Sequence, residues 1–169
     1  MNGPGRGPLS GPGGTAPPEQ TRFLALAGCE GAVRCCREFS RQALLRWHWL
    51  PAADDEQLAV AQDVLLMVSE LVTNACLHAP GGPRGLRLRW NGYRIRVEVA
   101  DASPVLPRLR RRADLGRPGG LGLLVVDRLS GAWGAVREGG GKVVWLEVPS
   151  PVDHHVRHRS WHSAGFPGW

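Results

Sequence analysis

One segment constrains the fold of this chain more than any other. Leu86, Leu88 and Trp90 alternate with Arg87 and Arg89, Asn91-Gly92 follows, and Ile95, Val97 and Val99 then alternate with Arg94, Arg96 and Glu98. Successive side chains on a strand point to opposite faces, so each half of this segment has one apolar face and one charged face. Asn-Gly is the favoured pair for a two-residue type I′ turn. The segment therefore predicts an antiparallel hairpin with one covered face, and an apolar surface from elsewhere must cover it.

Two upstream segments supply that cover. Residues 31–47 carry Val33, Cys36, Phe39, Ala43, Leu44 and Trp47 at helical intervals, and Pro51 ends the pattern. Asp54 and Asp55 offer N-cap and dipole charges to a second helix, which runs to about His78 and is stopped by Pro80-Gly81-Gly82-Pro83. A short apolar run over residues 22–27 predicts a first strand. After the hairpin come a short third helix over residues 119–129 and two strands, 132–138 and 142–148, joined through Gly139-Gly140-Gly141. The order predicts an α+β fold, a two-layer α/β sandwich with the helices on one face of a mostly antiparallel sheet. Trp90 and Trp145 are expected at sheet-core positions.

Composition bounds the rest. Residues 1–20 are rich in Gly and Pro and nearly free of large apolar side chains, so a disordered arm is expected there. Residues 150–169 are expected to be a flexible tail in which His154, His155, His158 and His162 are incidental, leaving one domain over residues 21–149 of the 169. No stretch approaches the run of about 20 apolar residues that crosses a bilayer, and no apolar run opens the chain. The expectation is a soluble, cytoplasmic protein without membrane contact. Cys29, Cys35, Cys36 and Cys76 lack Cys-x-x-Cys spacing and read as reduced core or surface thiols. A net charge of +6 and a pI near 10.1 admit nucleic acid, an acidic protein or an anionic ligand as partner. The long loop at 102–118 holds Arg108, Arg110, Arg111 and Arg112 without interleaved aromatic residues, which argues against direct nucleic-acid binding.

Three features carry chemistry. On the second helix Glu70, Asn74 and His78 lie at i, i+4 and i+8 and form one polar stripe. The stripe is either a solvated face or a carboxylate base one turn from an amide oxygen, a hard ligand of the kind Mg²⁺ accepts beside phosphates. Asp101 ends the inward row of Ile95, Val97 and Val99, so it is either a turn former or a buried acceptor for a ligand such as the exocyclic amine of adenine. Gly119-Gly120-Leu121-Gly122 opens the third helix, where free amides favour an anion, although a lid hinge would use the same glycines. No Gly-Lys-Ser/Thr follows, so this is not a Walker A loop, and it does not follow a strand as a Rossmann turn does.

Taken together, the order and separation of these features resemble the Bergerat-fold ATPases shared by gyrase, heat-shock chaperones, histidine kinases and mismatch-repair proteins. Within these the chain looks most similar to stand-alone anti-sigma factor serine/threonine kinases and related actinobacterial regulators. Glu70-Leu-Val-Thr-Asn74-Ala-Cys-Leu-His78 matches the N-box, Asp101-Ala-Ser-Pro part of the adenine box, and Gly119-Gly-Leu-Gly-Leu-Leu-Val-Val the second glycine box. The ending Gly141-Lys142-Val-Val-Trp-Leu-Glu is also typical of the group.

The resemblance implies ATP and Mg²⁺ as cofactors, with Glu70 as general base, Asn74 as Mg²⁺ ligand and Asp101 as acceptor of the adenine amine. It implies phosphate contacts from Gly119, Gly120, Leu121 and Gly122. His78 and Ser103 are candidate pocket residues, and Lys142 either approaches a phosphate or is an exposed strand-end lysine. Ser103-Pro104 departs from the glycines that histidine kinases carry after this Asp. The implied partners are a small anti-sigma antagonist protein as substrate, a sigma factor and a second copy of the chain. The alternative is a non-catalytic, nucleotide-dependent protein-binding switch. No phosphoacceptor histidine segment precedes the pocket, so a sensor histidine kinase is not expected.

Overall fold

The computed structural model describes residues 18–109 and 121–152. The elements run β1 (Gln20–Ala25), α1 (Ala32–Arg46), α2 (Asp55–His78), β2 (Pro83–Trp90), β3 (Arg94–Asp101), α3 (Gly122–Leu129), β4 (Ala132–Glu138) and β5 (Gly141–Pro149). The strands form one sheet in the order β1-β2-β3-β5-β4, and every pairing is antiparallel. The helices lie on one face of the sheet, with α2 in the middle packing against α1 on one side and α3 on the other. This is the two-layer α+β sandwich expected from the pattern of elements.

The alternation along the hairpin sets the layering. Leu86, Leu88, Ile95 and Val97 are wholly buried beneath the helices. Helix α2 answers with Val64, Met67, Val68, Leu71, Val72 and Ala75. Trp47 stacks on Trp90 at 5.8 Å between ring centres, and its indole Nε1 donates to Gln20 Oε1 at 3.0 Å, which ties α1 to the sheet edge. Asp54 caps α2 as expected, its carboxylate accepting from Gln57 N at 2.7 Å.

Three expectations need correction. Helix α2 is in fact long and apolar enough to cross a membrane by length and composition. Here Val64, Met67, Val68, Leu71 and Val72 are buried in a layer bounded by α1, α3 and the sheet, whereas Leu58, Leu66 and Leu77 are exposed. Asn91-Gly92 does not make a type I′ turn. Trp90 pairs with Ile95, so four residues lie between them, and only Gly92 has positive φ. Asn91 instead accepts Tyr93 N and Arg94 N on its Oδ1, both at 3.0 Å. The two-residue turn with both φ values positive is at Gly139-Gly140, where Glu138 pairs directly with Gly141.

Trp145 is the third. It alternates with the buried Val144 and Leu146 and so lies on the outer face of the sheet, half-buried under the Arg96 guanidinium at 4.1 Å. That face is charged. Glu98 is 8% exposed and ion-pairs with Arg87, Arg89 and Arg96, while Glu147 pairs with Arg94 and Arg96. Residues 1–17, 110–120 and 153–169, which include most of both expected tails, lie outside the described residues.

Candidate functional site

The inward rows of β3 and β5 do not stay apolar to their ends. Val99 pairs with Val144, and two residues on, Asp101 pairs with Lys142. The first pair is buried and apolar; the second is buried and ionic. Lys142 Nζ lies 2.9 Å from Asp101 Oδ1 and donates also to Ser103 O at 3.4 Å. Ser103 N donates to the same carboxylate oxygen at 2.8 Å. Asp101 Oδ1 thus has two partners, while Oδ2 has none among the described residues and is open to another donor. The sheet is pinned tightly here, because a Cβ at Gly141 would collide with the Asp101 carbonyl.

These residues form the floor of a cavity of about 390 Å³ between the sheet and α2, a size that suits a small-molecule ligand. Leu71, Asn74, Ala75 and His78 of α2 form one wall, and Leu123 of α3 adds to the lining. Val105, Leu106, Pro107 and Arg108, from the start of the long loop, close over it. Apolar walls with an amide at one side and an acid–base pair at the floor suit a flat heterocycle carrying a polar edge.

The expected site residues divide as follows. Asn74, His78, Asp101, Ser103 and Lys142 line this one cavity. Lys142 is 7% exposed, so the reading of an exposed strand-end lysine is corrected: β5 pairs it with Asp101 at the floor. Its ammonium is held there by the Asp101 carboxylate. His78 is exposed at the rim, as the last residue of α2.

Glu70 is half-buried and lies outside the cavity lining, one turn before Asn74. Its side chain packs on Gly122, the first residue of α3, so closely that a Cβ there would overlap Glu70 Oε2. Leu121 is 59% exposed at the α3 N-cap and has no side-chain cap. The α3 amides therefore open beside a carboxylate. Gly119 and Gly120, with Arg110, Arg111 and Arg112, lie outside the described residues.

Reasoning from the sequence missed the apolar lining. Val99 and Val144 were legible as strand residues, but their place in the cavity lining depends on where the core ends. Leu106 and Pro107 gave no periodic signal. Among the described residues no group of three or more His, Cys, Asp and Glu side chains could hold a metal ion. An amide oxygen on Asn74 can still serve a hard cation if phosphate oxygens supply the other ligands.

A family model described as a histidine kinase-like ATPase domain matches residues 30–148. No curated protein matches the chain. Among solved structures, the histidine kinase domain of a blue-light activated histidine kinase from Erythrobacter litoralis EL346 is 30% identical, covering 54% of this chain and 45% of that one, with a TM-score of 0.40. This chain thus spans less than half the length of that relative. The nucleotide-free catalytic domain of histidine kinase ThkA is 17% identical over 78% of this chain and 97% of its own, with a TM-score of 0.43.

Proposed function

The chain belongs to the histidine kinase-like ATPase domain family, and on that premise we propose that it is an ATP-dependent regulatory protein kinase of the anti-sigma type. Its substrate is a serine on a small antagonist protein, and a sigma factor is its second partner. The chain works as a homodimer in the cytoplasm, without direct contact to nucleic acid or membrane.

One observation carries the nucleotide reading: Asn74 on the helix and Asp101 on the sheet line the same cavity, with Lys142 bound to the acid. The adenine amine donates to Asp101, and the Lys142 ammonium beside it offers a donor to a neighbouring ring nitrogen. From there the phosphates run toward the start of α3, where uncapped amides favour negative charge. Asn74, together with phosphate oxygens, would hold Mg²⁺, which would supply neutralising charge to the transferred group. Glu70 accepts the proton of the attacking hydroxyl.

A second reading has its own support. Glu70 packs on Gly122 and lies outside the cavity lining, an arrangement that suits a switch in which nucleotide sets the loop conformation and partner binding is the output.

Calorimetric titration with Mg-ATP tests the pocket. Asp101→Asn is expected to weaken binding by roughly 10- to 100-fold, the worth of a hydrogen bond to a charged group. Asn74→Ala is expected to remove the Mg²⁺ dependence. Unchanged titrations in both variants would refute the site. Phosphotransfer from labelled ATP to an antagonist protein then separates the two readings. The kinase reading requires transfer by the wild type and its loss in Glu70→Gln with ATP binding retained; ATP binding without transfer leaves the switch.

A further inference from the structure

The chain has four cysteines, carried by two helices and one connection. Cys29 lies in the β1–α1 connection, Cys35 and Cys36 in the first turns of α1, and Cys76 near the end of α2. Cys29 and Cys76 line a second cavity, which shares no lining residue with the first. Cys36 is wholly buried, and burial pushes its thiol up to about 12, with Cys35, Cys29 and Cys76 close enough to act in the same direction. It is a core group. Cys29 and Cys35 are different: both are half-buried, both are free, and their sulfurs are 3.4 Å apart.

The local backbone builds this approach. Gly28 and Gly31 have φ of 72° and 69°, in the region where a side chain would strain the chain. The turn they make folds Cys29 back over the opening of α1, where Cys35 N donates to Gly31 O at 3.1 Å. A disulfide holds its sulfurs at about 2.05 Å, so a further approach of about 1.3 Å closes the pair. Both glycines have open space around the Cβ position, so the turn has room to tighten.

We propose that Cys29 and Cys35 are a reversible dithiol–disulfide site, oxidised by hydroperoxides. Cys35 is the attacking sulfur. It accepts the hydrogen bond from Cys29 and lies in the first turn of α1, where the helix dipole favours negative charge. The hydrogen bond to Cys35, with some burial, holds the Cys29 thiol above its ordinary value. The Cys35 thiolate attacks the hydroperoxide: an S–O bond forms, the O–O bond breaks, and the alkoxide takes a proton from water to leave as an alcohol. The Cys29 sulfur then attacks the sulfenic acid. An S–S bond forms, the S–O bond breaks, and hydroxide leaves as water with the Cys29 proton. Two thiols lose two electrons and the peroxide gains them. A reducing thiol reverses the change by exchange.

Non-reducing peptide mapping of the full chain after hydrogen peroxide and alkylation tests this. Trypsin cuts after Arg34 and Arg37, so Cys29 falls on residues 23–34 and Cys35 on residues 35–37. The expected product is a cross-link between these peptides, lighter than their sum by two hydrogens and released by dithiothreitol. Cys35→Ser, which leaves Cys36 on the same peptide, is expected to abolish it, whereas Cys76→Ser is expected to leave it intact. A cross-link that persists in Cys35→Ser, pairing through Cys76, or oxidation of Cys35 to sulfinic acid without any cross-link would overturn the proposal.

Discussion

Asp101 and Lys142 show what single residues contribute. A buried carboxylate facing a buried ammonium at 2.9 Å is tolerable only because each satisfies the other. Lys142→Met strands the carboxylate, and the expected loss is about 3 kcal/mol of stability, read by urea denaturation. The double variant Lys142→Met/Asp101→Asn is expected to recover much of that loss, because it removes the uncompensated charge. Asp101 was legible in the sequence, since it extends the period-two row of Ile95, Val97 and Val99. The role of Lys142 was not. It depends on the β3–β5 register, which pairs residues 41 positions apart, and no local pattern encodes that. The position of Glu70 against Gly122 was hidden for the same reason, because it is a contact between helices distant in sequence.

Among the elements, α2 was the most readable. Its cap, its apolar surface, its polar stripe and its Pro-Gly stop were all local signals, and its bounds are those expected. Asp54→Ala is expected to cost about 1 kcal/mol in the same denaturation experiment, because the Gln57 backbone N–H loses the carboxylate that accepts it. What could not be read locally was how many neighbours α2 has. An apolar helix of this length fits a bilayer or a three-sided core, and only the tertiary fold decides. The hairpin turn failed in a related way. Asn-Gly admits two solutions, one through left-handed backbone at both residues and one through the Asn side chain, and the β3 register selected the second.

At the scale of the whole molecule, the sheet has two unlike faces. The outer one holds its carboxylates among arginines. For Glu98 burial pushes the carboxyl up, but the Arg96 hydrogen bond and the charges of Arg89 and Arg96 outweigh it and the net shift is downward; for Glu147 burial likewise opposes Arg94 and Arg96 and loses. Carboxyl groups held below their ordinary 4.5 stabilise the fold above that pH, and the contribution fades as pH falls through their lowered values. Unfolding midpoints are therefore expected to hold steady near neutrality and to drop below about pH 4.5. The drop is expected to be shallower in Glu98→Gln, measured by thermal melts across the acid range. The inner face has another consequence. The cavity takes its floor from the sheet and a wall from α2, so its width is the thickness of the hydrophobic layer between them. Core side chains such as Val68 and Val97, buried behind the lining, act as spacers in a caliper whose jaws are the two layers. Repacking the interior would then retune what the jaws can grip, even where no altered atom meets the ligand.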